Sequence, residues 1–206
     1  MAVCTRPDII FSVVRAARKS KNPTIEDCYN VKKIFKYLKG TLNYSIKFSN
    51  EKTLRVFADA DYAGDEETRK STSGFVMMIG DSPTSWYSKL QHVVATSTAK
   101  SEYISVNDCA KHRLWYMNIF KELYIKIKTV SINTNNKTAI YNYQNKSINT
   151  KSKHIDIKYH HIRDLISKGT IKLKYNKSEN NLADGFTKFL NSTSMDRFRN
   201  NLLFKI

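Results

Sequence analysis

Four short segments carry the side chains with the most chemical potential. Phe57-Ala58-Asp59-Ala60-Asp61 and Leu182-Ala183-Asp184 set carboxylates among small and apolar residues. Ser101-Glu102-Tyr103 places one inside a long helical pattern, and Ile132-Asn133-Thr134-Asn135-Asn136 ends a β-branched run in amides. Hydrolysis of a phosphodiester by two divalent metals needs carboxylates from separate elements to converge on one point. Three of these four positions are anionic and the third in order is Asn135. Each residue also has a plainer reading. Asp59 and Asp61, two apart, share one face of a strand, so either can be the ligand, or both can be turn and capping residues. Glu102 taken alone is a solvated helix residue, and Asp184 after Asn180-Asn181 is a candidate N-cap.

The elements that must position these groups follow from periodicity. A chain of 206 residues with 41% hydrophobic content suits one domain, or one with an appendage. From Pro7 to Ser20, Ile9, Ile10, Val13, Val14 and Ala17 recur at helical spacing. After Asn22-Pro23, Thr24 is a candidate N-cap with Asp27 three residues on, and Ile25, Cys28, Val31, Ile34, Phe35 and Leu38 form a stripe ending at Gly40. Residues 1–43 therefore read as a helical hairpin. Short β-branched and aromatic runs at 44–49, 53–60, 75–79, 84–88 and 92–96 predict an antiparallel meander. A long helix from about Thr98 to Leu123 follows, with Ile104, Leu114, Trp115, Ile119, Phe120 and Leu123 as its buried face and Trp86 also assigned to the core. Then come a strand at 128–134, a helix from about 136, a polar stretch at 145–152, a helix from Ile155 to Ser167, a strand at 170–175, and helices near 180–188 and 194–203. Strands first, then helix and strand in alternation, predict an α/β domain over 44–190 with a mixed sheet, and a helical tail over 191–206.

Charge bounds the partner. Lys and Arg number 35 against 18 Asp and Glu, a formal charge of +17. They outnumber the acids 10 to 3 in residues 1–50, 7 to 3 in 101–150 and 12 to 5 in 151–206, whereas residues 51–100 hold 6 against 7. One acidic island in a basic chain fits a phosphate-binding surface around a carboxylate cluster; a solvated basic surface is the plainer alternative. A mean hydropathy of −0.50 and the lack of a long apolar run predict no membrane span. Cys4, Cys28 and Cys109 lack metal-ligand spacing, which predicts a reducing intracellular setting.

Several words narrow the reading. Thr5-Arg6-Pro7-Asp8-Ile9, Tyr37-Leu38-Lys39-Gly40-Thr41, Ala58-Asp59-Ala60-Asp61-Tyr62-Ala63-Gly64-Asp65, Arg69-Lys70-Ser71-Thr72-Ser73-Gly74, Ser85-Trp86-Tyr87-Ser88-Lys89, Lys153-His154-Ile155-Asp156-Ile157 and Ala183-Asp184 occur in one order. Together they resemble the C-terminal end of a copia-type LTR-retrotransposon Pol polyprotein. That resemblance implies a ribonuclease H-like mixed five-stranded sheet with helices on both faces, preceded by the last helices of the reverse-transcriptase thumb and connection region. It implies binding of an RNA:DNA hybrid or other nucleic acid, a reverse-transcriptase palm encoded upstream as partner, and two Mg²⁺ ions held by Asp59, Glu102, the position of Asn135, and Asp184. No polymerase motif is present, so polymerase activity is not expected of this chain.

Departures from the family accumulate around that site. Asn135 replaces the third acid, Lys100 stands two residues before Glu102 where an acid is usual, and no His occurs in Tyr175 to Asn181. Gly185 and Phe189 replace an aliphatic residue and a proline, and a glycine inside a helix is worth about 1 kcal/mol of instability. These departures predict cleavage impaired or lost. The alternatives are a weakly active hybrid endoribonuclease helped by Asp61, and a domesticated nucleic-acid-binding module. Backbone contacts are assigned to Arg69, Lys70, Ser71, Lys89, Gln91, Lys153 and His154. His154, Asp156, His160 and His161 are not read as a zinc site, because His154 to His160 misses the i, i+4 spacing of helical pairs.

Overall fold

A computed structural model describes residues 1–48, 50–51, 53–126, 130–144 and 153–206, apart from the side chains of 130, 142, 144, 153–157 and 159. The chain opens with a 3-10 turn, Pro7–Ile9, that runs into α1 (Ile10–Arg18). α2 (Ile25–Gly40) begins at the expected capping box. The Thr24 hydroxyl accepts from the Asp27 N–H, and Asp27 accepts from the Thr24 N–H at 2.9 Å, so two orphan donors of the first turn are satisfied. Strands β1 (Tyr44–Ser45), β2 (Leu54–Asp61), β3 (Thr72–Ile79) and β4 (Ser82–Leu90) follow, then α3 (Thr98–Glu122), β5 (Val130–Thr134), α4 (Lys137–Gln144), α5 (Lys153–Ser167), β6 (Ile171–Tyr175), α6 (Ser192–Leu202) and β7 (Phe204–Lys205).

The main sheet has the order β4-β3-β2-β5-β6. β2 pairs antiparallel with β3 and parallel with β5, which in turn pairs parallel with β6. This is the mixed five-stranded sheet expected for the ribonuclease H-like class. Alternation along the strands feeds two cores. Val56, Ala58, Phe75 and Met77 face a cluster with Tyr103, Val106 and Ala110 of α3, while Phe57, Val76 and Met78 face the other way onto Ile9, Ile10, Phe186, Phe198 and Leu202. Helices therefore cover both faces, as expected.

Several local expectations are corrected. Residues 92–96 form no strand, and the first run contributes only β1, which pairs with β7 in a separate two-stranded sheet. The 3-10 turn Leu182–Phe186 stands where a longer helix was expected. Trp115 of α3 and Leu123 just after it are exposed, because the helix turns its Tyr103, Val106, Ala110 and Phe120 side to the core. Trp86, by contrast, packs against the second core as expected, half-buried, and donates from Nε1 to the Ala2 carbonyl at 2.8 Å. Only Ile34, Tyr37 and Leu38 of α2 lean on the second core, whereas Ile25, Cys28 and Phe35 are exposed. The polar stretch 145–152 and residues 128–129 lie outside the described residues.

The word Thr5-Arg6-Pro7-Asp8 also finds its physical reason. Arg6 and Asp8 form a buried bidentate pair at 2.9 and 2.7 Å, with the Tyr37 hydroxyl donating to Asp8 at 2.7 Å and Arg6 reaching Thr41 Oγ1 at 2.7 Å. That network joins the two arms of the hairpin. Among the described residues, no helix is long and apolar enough to cross a membrane.

Candidate active site

The sheet register brings the first two positions together. Val56 lies opposite Ile132 and Phe57 opposite Asn133 in the parallel pair, and the same offset carried two residues further sets Asn135 beside Asp59. Asn135 Nδ2 donates to Asp59 Oδ1 at 3.3 Å and to Ser178 Oγ at 3.3 Å. Thr187 Oγ1 donates to the other Asp59 oxygen at 2.5 Å, and Ser105 Oγ holds the Asp59 carbonyl at 2.6 Å. Asp59 is 2% exposed.

Glu102 arrives from the first turns of α3. Ser97 caps that helix by accepting from the Lys100 N–H, and Gln91 fixes its approach, since Nε2 donates to Ser73 Oγ at 2.8 Å and to the Ser101 carbonyl at 2.9 Å. Glu102 is 5% exposed and receives the Ala60 N–H, while its Oε2 is buried without a hydrogen-bond partner. Burial, and then the neighbouring charge of Asp59, hold its pKa well above the ordinary carboxylate range, with Asp184 adding to the repulsion.

Asp184 sits in the 3-10 turn. Asn181 caps that turn through the Ala183 N–H and ties it to the sheet by donating to the Ala58 carbonyl at 3.2 Å. Two glycines let the turn approach. A Cβ at Gly74, opposite Asp59 in the register, would stand 2.6 Å from Phe186 Cβ, and one at Gly185 would stand 2.5 to 2.7 Å from the Phe198 ring. Gly185 is thus a packing requirement rather than a helix defect, which corrects the expectation drawn from its propensity. Asp184 is raised to about 6 by burial and then by Asp59, and its Oδ1 has no partner. Asp61 is raised by the same two causes. Lys188 Nζ lies 2.7 Å from Asp184 Oδ2.

The four positions therefore meet at the C-terminal end of β2. Two buried carboxylate oxygens without partners, beside other carboxylates that push up their pKa values, form an oxygen-only donor set suited to a hard divalent cation. As they stand, no three ligating side chains among the described residues close on a metal site, because hydroxyl, amide and ammonium groups engage Asp59 and Asp184.

The remaining site residues divide. Arg69, in the left-handed region at φ 54°, and Lys89 are exposed, and Lys70 is half-buried. Ser71 and Gln91 are buried and hydrogen-bonded within the protein, so as placed they offer no surface to a phosphate backbone. Lys153 and His154 open α5, and their side chains are outside the described residues. Lys100 donates to Thr96 Oγ1 at 2.6 Å, and the main influences on Glu102 are its burial, Asp59, the Ala60 N–H, Asp184 and Lys188. Thr187, Ser105, Asn181 and Lys188 escaped the sequence reading, although Lys188 sits at i+4 from Asp184. Arg15 escaped it too. It projects from α1 into a cleft of about 750 Å³ between the hairpin, the 64–68 loop and the Lys188 segment, and its charge reaches Asp61.

No protein-family model matches the chain. The chain is 35% identical over 187 residues to the retrovirus-related Pol polyprotein from transposon TNT 1-94 of Nicotiana tabacum, covering 90% of this chain and 14% of that polyprotein. It is 35% identical over 197 residues to the polyprotein from transposon RE1 of Arabidopsis thaliana, covering 94% of this chain and 13% of that one. It spans about one seventh of the length of these relatives. Among solved structures, ribonuclease H1 from Halobacterium salinarum is similar at 11% identity and a TM-score of 0.48, covering 70% of this chain and 98% of that one.

Proposed function

Given that the chain belongs to the copia-type retrotransposon Pol polyproteins and is their ribonuclease H-like region, we propose that it binds an RNA:DNA hybrid and hydrolyses the RNA strand weakly or not at all. The observation that carries this reading is the meeting of Asp59, Glu102 and Asp184 around Asn135, with partnerless oxygens on Glu102 and Asp184. Asp59, Glu102 and Asp184 would hold the divalent cations, Mg²⁺ by the hardness of the donors. Such ions supply charge stabilisation on the phosphoryl oxygen and activation of water.

The chain's own residues account for the deficit. At Asn135 an amide stands where the fourth anion would complete the cluster, and it spends an N–H on Asp59 instead of offering negative charge. Ser178 accepts the other contact from Asn135, in the loop that lacks a histidine. The basic excess outside residues 51–100 supplies the electrostatic part of hybrid binding, joined by the exposed Arg69 and Lys89 within that segment and by Arg15, whose charge reaches Asp61. The exposed stripe of Ile25, Tyr29 and Phe35 on α2 is the surface a polymerase palm would cover.

One observation favours a second reading, weak endoribonuclease activity. Asp61 lies close enough to Asp59 to be raised by it and feels both Lys188 and Arg15, so it is available as a replacement anion. A labelled RNA:DNA hybrid separates the two. Binding at low salt without RNA cleavage in 10 mM Mg²⁺ is the expected result. Slow cleavage that Asp61→Asn abolishes establishes the second reading, and an absence of hybrid binding at 50 mM salt overturns both.

A further inference from the structure

The acid cluster already contains a cation. Lys188 Nζ lies 2.7 Å from Asp184 Oδ2, and the same ammonium acts on Asp59, Asp61 and Glu102. Its contact is with Asp184, and its charge reaches the other three acids. Asp184 spends a single oxygen on it and leaves Oδ1 buried without a partner, so the lysine does not saturate the site. The Lys188 side chain is 41% exposed, against 16% for Asp184, which gives it a path out to solvent. Lys188 and Arg15 line the cleft between the hairpin and the 64–68 loop, a mixed surface in which Arg18 is already paired with Asp65 and further acids, Glu66 and Glu67 among them, share the lining.

We infer that Lys188 is the resident counter-ion of this cluster and competes with a divalent cation for Asp184, so that loading the cation requires the lysine to swing out toward the phosphates of a bound nucleic acid. The inference rests on the reading above that the cluster holds divalent cations. Its physical basis is charge and tethering. A divalent ion gains twice the Coulomb attraction of an ammonium at equal distance but must shed water, whereas Lys188 is held beside the carboxylates by four residues of chain. Cation affinity in the free protein is then lowered by the fraction of time the lysine stays in place. A polyanion in the cleft gives the ammonium another partner. Hybrid and cation therefore favour each other's binding by the same factor.

Mn²⁺ is the probe, with uptake followed by the electron paramagnetic resonance of the free ion and by calorimetry, for the parent, Lys188→Met and Lys188→Arg, each with and without an RNA:DNA hybrid. Lys188→Met should bind Mn²⁺ at least about tenfold tighter than the parent without hybrid, and Lys188→Arg should stay close to the parent. Hybrid should tighten Mn²⁺ binding to the parent several-fold and leave Lys188→Met unmoved. A folded Lys188→Met with parental or weaker affinity overturns the inference while leaving the metal reading standing. Failure of all three proteins to take up Mn²⁺ at millimolar concentration overturns the metal reading and this inference with it. Should Lys188→Met unfold in EDTA, Lys188→Gln is measured alongside it: refolding of either by Mn²⁺ supports the counter-ion role, and its failure rejects it.

Discussion

Asn135→Asp tests the cluster most directly, because the structure fixes both its cost and its gain. The amide nitrogen that now donates to Asp59 at 3.3 Å would be replaced by a carboxylate oxygen facing a carboxylate that is 2% exposed. Two unit charges at that distance repel by about 5 kcal/mol at an effective dielectric of 20. Loss of the hydrogen bond adds about 1 kcal/mol, while protonation of one partner and rotation of the side chains give part of this back. A loss of roughly 2 to 4 kcal/mol is expected in EDTA at pH 7.5, a fall in melting temperature of about 5 to 15 °C for a domain of this size. Millimolar Mg²⁺ should restore most of it, and should raise the parent less. Cleavage of the RNA strand should rise at least about a hundredfold, since each 1.4 kcal/mol recovered in the transition state is about tenfold. The assay is a thermal melt with and without Mg²⁺ beside gel-resolved cleavage of a labelled hybrid. An unchanged melt in EDTA refutes the proximity to Asp59. A destabilised protein that Mg²⁺ leaves unrescued refutes the ligand role, and rescue with the cleavage rate unmoved refutes Asn135 as the lesion.

Other expectations follow from the same contacts. Gly185→Ala should cost roughly 1 to 3 kcal/mol in urea denaturation despite alanine's better helix propensity, because the added methyl meets the Phe198 ring; a stabilised variant would return Gly185 to the status of a defect. Asp8→Asn should cost about 3 kcal/mol, since it leaves the Arg6 guanidinium buried beside a neutral partner, and a cost under 1 kcal/mol in the same assay would show the pair to be dispensable. In metal-free protein, Asp184 sits at about 6 in the fold against 3.8 unfolded, so the folded state holds the extra proton and stability should fall by roughly 3 kcal/mol as pH rises from about 4 to 6. Glu102 acts in the same direction, and a stability that rises over that window in EDTA contradicts the burial of these acids. Neutralising Lys100 should leave the melt and Mn²⁺ uptake nearly unchanged, because its ammonium is engaged by Thr96 and the main influences on Glu102 lie elsewhere.

The sequence by itself determined the elements whose signal is local. The Thr24 capping box, the long α3 and the β-branched and aromatic runs of β2 and β3 are recoverable from neighbours in the chain, because a cap, a helical period or a short apolar run between turns is complete within a few residues. The words around Asp59, Glu102 and Asp184 also picked out residues that the fold brings together, with Asn135 as the non-acidic position among them. Tertiary structure alone decided which face of each element was buried and what filled the site. Trp115 and the outer stripe of α2 are as apolar as core residues, yet nothing local says that their face of the helix is turned away from the core. Gly185 reads as a helix breaker until the Phe198 ring, thirteen residues away, is set against it. Gln91 and Ser71 read as polar surface until their hydrogen bonds are found inside the protein. Lys188 is one lysine among many in a basic chain. Only the parallel register of β2 and β5, and the close approach of the 3-10 turn over Gly74, bring its ammonium among four carboxylates, where position in space rather than residue type gives it a role.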